Sequence, residues 1–337
     1  MNIEELCRKG GFQCDCGRTH RGDTKHVLIE KGAVRYLPEL LKELGASHPF
    51  VISGHDTFEA GGKKVEEVLD EAGISFVEYV LPNSPVPATE ETVGSAVMHF
   101  DYDCDVIIGV GSGVMNDTGK ILARATNLPY MIVATAPSMD GFASATSSME
   151  RDGLKVSLDS KAAWAVIGDL DILCNAPEHM LLSGVGDMLA KYVSLAEWKI
   201  AELTVDEYYC PTIATMVRES LDKVMEATPE LLKRNPDAVK AVMEGMVLAG
   251  MAMKYAGLSR PASGMEHYFS HIWDMRALAF SEARSDLHGI QCGIGTLYSL
   301  RIYDYLRTVV PDREHARQAV HHFSAGDWNA RLREFIG

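Results

Sequence analysis

Three short segments hold side chains that could act together: Gly184-Val185-Gly186-Asp187, Gly264-Met265-Glu266-His267 and Asp286-Leu287-His288-Gly289. One carboxylate and two imidazoles make a three-ligand set that leaves a position for a substrate oxygen, as catalytic zinc and related divalent sites do. An ion so held is a Lewis acid. The long gaps between Asp187, His267 and His288 leave a second reading open, in which all three are satisfied core or surface polar groups. His271 shares a helix face with His267, four residues earlier, and is read either as a proton carrier, as a substrate-orienting group or as an ordinary hydrogen-bonding histidine. Lys191 lies one turn beyond Asp187. It is a candidate counter-charge for a phosphate or an aid to alkoxide formation, with a solvated or ion-paired lysine as the plain alternative.

A second feature is the run Gly109-Val110-Gly111-Ser112-Gly113-Val114-Met115-Asn116-Asp117, which follows an apolar strand and opens a helix. Glycine lets the backbone approach a phosphate, and the free amides at a helix start favour its negative charge, so the turn fits a dinucleotide's pyrophosphate. Asp117 and Lys120 sit one turn apart on that helix. The turn comes after at least two earlier βα units, whereas the usual dinucleotide fingerprint follows the first strand. Asp56, just past an earlier strand, is assigned either to the adenosine ribose or to the cap of the next helix. Cys14 and Cys16 with His20 suggest a small metal clasp, for which an ordinary turn is the simpler reading.

The elements that must position these groups fall into two textures. From Lys31 to about Asp169, helical apolar spacing alternates with short apolar runs, the pattern of successive βα units. Strands are expected at Pro49 to Ser53, Ser75 to Val80, Val106 to Ile108, Tyr130 to Ala134 and Ala165 to Ile167. Helices are expected at Thr57 to Ala72, Thr89 to Phe100 and Val114 to Thr126, and a turn at Arg151-Asp152-Gly153. After Pro177 come long helical stretches at Gly186 to Leu203, Ala238 to Leu258, Gly264 to Phe280 and Gly289 to Leu306. The fold expected is α/β: an N-terminal Rossmann-like, mostly parallel sheet domain over residues 1–173, then an all-helical metal-binding and catalytic domain over 174–337. A ligand belongs in the cleft between them.

The chain has 337 residues, of which 32 are basic and 47 acidic, for a net charge of -15. This balance argues against a nucleic acid or an anionic membrane surface as partner. No apolar stretch approaches the length of a membrane span and no secretory leader is visible, so a cytoplasmic address is expected. Seven scattered cysteines agree with reduced thiols there. A homodimer is the base-rate expectation for assembly.

The glycine turn from Gly109 to Lys120, the run Thr135-Ala136-Pro137-Ser138-Met139-Asp140-Gly141 and the order Asp187, His267, His288 together resemble the iron-containing alcohol dehydrogenase and dehydroquinate synthase superfamily. The likeness runs from about Lys31 to Leu300. Ser-Met-Asp-Gly followed by Ser144, and Ser-Gly-Met-Glu-His, are most similar to the glycerol-1-phosphate dehydrogenases. The resemblance implies a dehydroquinate synthase-like fold, NAD or NADP as cofactor, and one divalent metal ion, zinc or nickel, on Asp187, His267 and His288. It implies that Gly111, Ser112 and Gly113 bind pyrophosphate, that Asp117 and Lys120 lie along the nucleotide, and that Thr135, Ser138 and Ser144 approach the cofactor. Asp140 then faces the substrate. Where iron-dependent members carry a further histidine one turn after the aspartate, this chain has Lys191, which implies three protein ligands. The chain stops at Gly337, short of the extended helical tail some members carry, which implies a short or missing lid.

The activity implied is reduction of a small phosphorylated three-carbon ketone, dihydroxyacetone phosphate, to sn-glycerol-1-phosphate by hydride transfer. The proton then comes from metal-bound water or through Asp140 or His271, and Lys155, Lys191 and Arg260 are candidate phosphate partners. Three rivals remain: a glycerol dehydrogenase, a dehydroquinate synthase-like lyase and a non-catalytic nucleotide-binding regulator. Relatives of the lyase kind carry a Gly-Gly-Lys run after the substrate aspartate where this chain has Gly141-Phe142-Ala143-Ser144.

Overall fold

A computed structural model describes residues 3–280 and 286–336. Its centre is a six-stranded sheet built from β3 (His26–Glu30), β4 (Pro49–Gly54), β5 (Val77–Leu81), β6 (Val106–Gly111), β7 (Tyr130–Ala134) and β10 (Ala165–Asp169). Its spatial order is β3-β10-β7-β6-β4-β5, and every pairing is parallel. Ahead of it lie α1 (Ile3–Lys9) and a small antiparallel hairpin of β1 (Gly11–Gln13) and β2 (Thr19–Arg21). Between strands run α2 (Leu37–Leu44), α3 (His55–Thr57), a π-turn at Phe58–Gly62, α4 (Lys63–Glu71), α5 (Glu90–His99) and α6 (Gly113–Thr126).

The central strands are buried on both faces, so they are near-continuous apolar runs and their two sets of side chains feed two cores. Val51, Ile108, Val110, Met131 and Ile167 pack with Leu37 and Leu41 of α2 and Val65 and Leu69 of α4. Their alternates Phe50, Ile52, Ile107, Ile132 and Val166 pack on the other face with Leu122 of α6. That second core runs on without a break into the helices that follow the sheet.

Those helices are α7 (Leu170–Leu173), α8 (Glu178–Leu189), α9 (Lys191–Val205), α10 (Pro211–Leu231), α11 (Pro236–Ala256), α12 (Met265–Phe280), α13 (His288–Leu306), α14 (Arg313–His321) and α15 (Ala325–Ile336). Among the described residues, every element from Glu178 onward is a helix. The helix expected from Gly186 to Leu203 is two, divided at Ala190. α11 begins where Asn235 caps it by accepting from Asp237 N, with Pro236 in the first turn.

Several parts were not expected from the sequence, α1, the β1–β2 hairpin and α10 among them. The edge strand β3 precedes the alternating region as read above, and the stretch around Arg151-Asp152-Gly153 is the tip of an antiparallel hairpin, β8 (Thr146–Arg151) and β9 (Leu154–Asp159). No helix of the described residues is long and apolar enough to cross a membrane.

Candidate active site

Strand order fixes where a ligand goes. From β4 the chain moves outward to β5, then returns to the other side of β4 to lay down β6, so the order reverses between the carboxyl ends of β4 and β6. A crevice at such a reversal is the usual ligand site of an open parallel sheet. The glycine turn therefore occupies the switch point although it is not the first βα turn of the chain. A Cβ at Gly111 would collide with Met115, so the turn tolerates no side chain there. Ser112 occupies the cap position of α6 without capping it. Its hydroxyl instead reaches Ser138 Oγ at 2.5 Å and Ala136 O at 3.2 Å, which leaves the first-turn amides of α6 unclaimed by a side-chain cap. This arrangement fits a pyrophosphate.

The other expected cofactor residues divide. Thr135 follows β7 directly and its N–H donates to Gly111 O. Lys120 is fully buried, and its ammonium donates to Gly141 O, Ser144 Oγ and Thr146 O while pairing with Asp117 at 3.0 Å. Asp117 also accepts from Ser148 N. Asp117, Lys120 and Ser144 thus tie α6 to the segment from Asp140 into β8, with their polar atoms engaged by protein. Asp56 is exposed past β4, where it accepts from Ser84 Oγ at 2.8 Å. It does not cap the following helix, whose cap position is Gly54.

The loop after β7 leads from the glycine turn to the helices. Ser138, bonded to Ser112, accepts at its carbonyl from Ser183 Oγ of α8, and Asp140 N donates to Asp187 Oδ2 at 3.0 Å. α8 in turn crosses α13 backbone to backbone: a Cβ on Gly186 would strike Gly289 O, and one on Gly289 would strike Ser183 O. These two glycines are the neighbours of Asp187 and His288, so the crossing that excludes side chains is also what brings those two side chains together.

Asp187, His267, His288 and Cys292 place one ligand atom each within 4.8 Å of one another. His267 Nε2 lies 4.0 Å from Asp187 Oδ1, and its Nδ1 is bonded to Glu266 Oε1 at 2.8 Å, which directs the Nε2 lone pair inward. His288 is oriented by a longer chain. Ser270 gives its only proton to Gln291 Oε1 at 2.6 Å, so its contact with His288 Nδ1 at 3.0 Å requires the imidazole to donate, again freeing Nε2. Gln291 Nε2 donates to Asp274, which pairs with Lys155 of β9. The hairpin is thereby linked to His288.

The electrostatics suit a cation. For Asp187, burial opposes ionisation, but Lys191 and the two imidazoles more than offset it and hold its pKa at about 2. His288 is driven down to about 3 by burial and by His267, so it stays neutral with a lone pair to give. At His267 burial works against charge, yet Cys292 and Glu266 favour it and raise the pKa to about 10; a bound metal ion would take the place of that proton. Asp140 is pushed upward by burial and by Asp187. Donor set, tautomers and charge all fit a divalent ion on Asp187, His267 and His288.

Lys191 and Arg260, two of the three phosphate candidates, are spent elsewhere. Lys191 is fully buried between Asp140 Oδ2 at 2.5 Å and Asp187 Oδ1 at 2.8 Å, so it serves the carboxylates and not a phosphate. Arg260 holds Glu207 through Nε and Nη2, both at 2.8 Å. Asp140 does not cap the turn that follows it; its carboxylate faces Lys191. His271 lies beside the ligands, with its ring centroid 6.2 Å from that of His288, and burial and Lys155 lower its pKa to about 4. Cys292 was missed as a fourth donor. Its Sγ is 3.5 Å from His288 Nε2, and the signal was available, since four residues separate the two on one helix.

A parallel sheet with a glycine turn at its switch point, facing helices that gather an aspartate and two histidines, suits a metal-dependent dehydrogenase of the alcohol type. Residues 28–177 match the family described as iron-containing alcohol dehydrogenase. Glycerol-1-phosphate dehydrogenase [NAD(P)+] of Bacillus licheniformis is 34% identical over 311 residues, covering 91% of this chain and 77% of that protein. Its counterpart in Halalkalibacterium halodurans is 32% identical over 306 residues, covering 90% and 76%. Glycerol dehydrogenase from Schizosaccharomyces pombe superposes with a TM-score of 0.68 at 20% identity, covering 83% of this chain and 71% of that one, a likeness of fold. The chain belongs to the glycerol-1-phosphate dehydrogenase family of iron-containing alcohol dehydrogenases and is an oxidoreductase. The α/β fold with helices after the sheet is the one the sequence led us to expect.

Proposed function

We propose that the protein reduces dihydroxyacetone phosphate to sn-glycerol-1-phosphate with NADH or NADPH, using one divalent ion, zinc or nickel. The observation that carries this reading is the convergence of Asp187 with the free Nε2 atoms of His267 and His288, across one loop from the glycine turn. When bound, the ion polarises the ketone and the reduced nicotinamide supplies the hydride. Gly111, Ser112 and Gly113 present backbone amides to the pyrophosphate, with Thr135 and Ser138 along its path. Asp140 and Lys191 keep Asp187 fixed by hydrogen bonds. His271, for which no hydrogen bond is found among the described residues, is neutral and so relays the proton that completes the alcohol, giving up its N–H as its other ring nitrogen takes a proton from solvent. Lys155, on the hairpin and within electrostatic reach of His271 and His288, supplies positive charge to the substrate phosphate by exchanging its ion pair with Asp274 for it.

Free cysteines support a reducing, cytoplasmic setting. A homodimer would cover Leu297, Tyr298, Tyr305 and Leu306, which α13 exposes.

The test is nicotinamide oxidation with dihydroxyacetone phosphate and with unphosphorylated dihydroxyacetone, on wild-type protein and K155M. The reading expects preference for the phosphorylated ketone, with K155M raising KM for that substrate alone. Turnover of only the unphosphorylated ketone would make the protein a glycerol dehydrogenase instead.

A further inference from the structure

A second group of metal-type ligands lies outside the candidate active site. Cys14, Cys16 and His20 come from the β1–β2 hairpin, and the fold brings to them Cys210, far along the chain, so that four ligand atoms lie within 4.8 Å of one another. Cys14 Sγ is 3.6 Å from Cys210 Sγ, Cys210 Sγ is 3.6 Å from His20 Nε2, and Cys16 Sγ is 3.4 Å from the same nitrogen. Zinc bonds of about 2.3 Å to sulfur and about 2.0 Å to imidazole nitrogen make tetrahedron edges of about 3.8 Å between sulfurs and about 3.5 Å between sulfur and nitrogen. The three separations match those edges.

Three further observations point the same way. His20 is 1% exposed, and its Nδ1 meets the carbonyl of Tyr255 at 2.8 Å. A carbonyl only accepts, so Nδ1 carries the proton and the Nε2 lone pair faces the sulfurs. Cys14 and Cys210 are buried, so the ligands lie mostly out of water. Cys210 also holds the cap position of α10, where a backbone N–H favours the thiolate against the burial and neighbouring thiols that push its pKa up to about 11, a cost that metal binding would offset.

We propose that Cys14, Cys16, His20 and Cys210 bind a structural zinc ion that fastens the β1–β2 hairpin to the start of α10. Four protein ligands fill a tetrahedral shell and leave no position for substrate, and three of them are sulfur, where the set at Asp187 offers one. The hairpin strands have three residues each, and β1 and β2 pair only with each other. A metal staple supplies order that so small a sheet lacks by itself.

The experiment uses wild-type protein from zinc-supplemented medium, dialysed against a chelator to strip the exchangeable ion, then analysed for metal content and by X-ray absorption at the zinc edge. The expected result is about one retained zinc per chain with a shell of three sulfurs and one imidazole. The set around Asp187 offers a single sulfur, so the sulfur count assigns the ion. C210S should reduce retained zinc to none and lower Tm. Should that variant fail to fold, mercurial titration of wild-type thiols should release the ion in step with modification. Retained zinc without a sulfur-rich shell, no retained zinc, or a Cys14–Cys210 disulfide in the native protein would overturn the proposal.

Discussion

Lys191 Nζ lies 2.8 Å from Asp187 Oδ1, one helical turn away, with both side chains wholly sealed from solvent. A buried ammonium beside a carboxylate proposed to hold a metal is intelligible because Asp140 shares it: two carboxylates face one lysine, and negative charge remains for a divalent ion. Burial alone would drive the lysine toward neutrality, but Asp140 and Asp187 raise its pKa above the ordinary value. K191M leaves the carboxylates unpaired, a loss of about 3–5 kcal/mol for a buried pair broken on one side. The expected result is a lower Tm in chelator, much of it recovered on adding zinc. Equal sensitivity to zinc in wild-type and K191M would contradict this account of the charge balance.

His271 offers the clearest separation of proton delivery from metal binding. H271N removes the imidazole without touching Asp187, His267 or His288. Its kcat should fall on the order of 100-fold or more, with KM and metal content little changed. Steady-state kinetics with metal analysis on the same sample checks this, and a loss of metal in proportion to activity would show that His271 acts as a ligand.

Stability should depend on pH through a pair remote from the active site. Glu66 of α4 has its pKa raised to about 7 by burial and by Glu78 of β5. Its folded-state pKa lies above the ordinary 4.5, so its contribution is favourable at low pH and is lost as pH rises through about 7. E66Q should therefore raise the urea midpoint at pH 8 and leave it nearly unchanged at pH 5. An equal effect at both values would place its origin in packing.

The limits of sequence reading follow from burial and from chain distance. Tyr130–Ala134 and Val106–Gly111 are apolar runs buried on both faces, so hydropathy marks them directly. β3 lies at the sheet edge with an intermediate burial pattern, and β8 and β9 carry many polar residues, so all three resemble loops. Asp187 and Lys191 show their relation in spacing alone, but nothing local indicates that Asp140 completes it. Cys14, Cys16 and His20 look like a turn until the fold delivers Cys210. The glycine turn between a strand and a helix was legible; that it stands at the switch point depends on strand order, which the chain's linear sequence does not display.

The central claim is tested most directly by stripping the enzyme with chelator, restoring zinc or nickel, and resolving the chirality of the glycerol phosphate formed from dihydroxyacetone phosphate and reduced nicotinamide. The account predicts that turnover stops on stripping, returns with either ion, and yields sn-glycerol-1-phosphate, while D187N stays inactive after metal addition. Full activity in the stripped enzyme, or the opposite enantiomer as product, would contradict it.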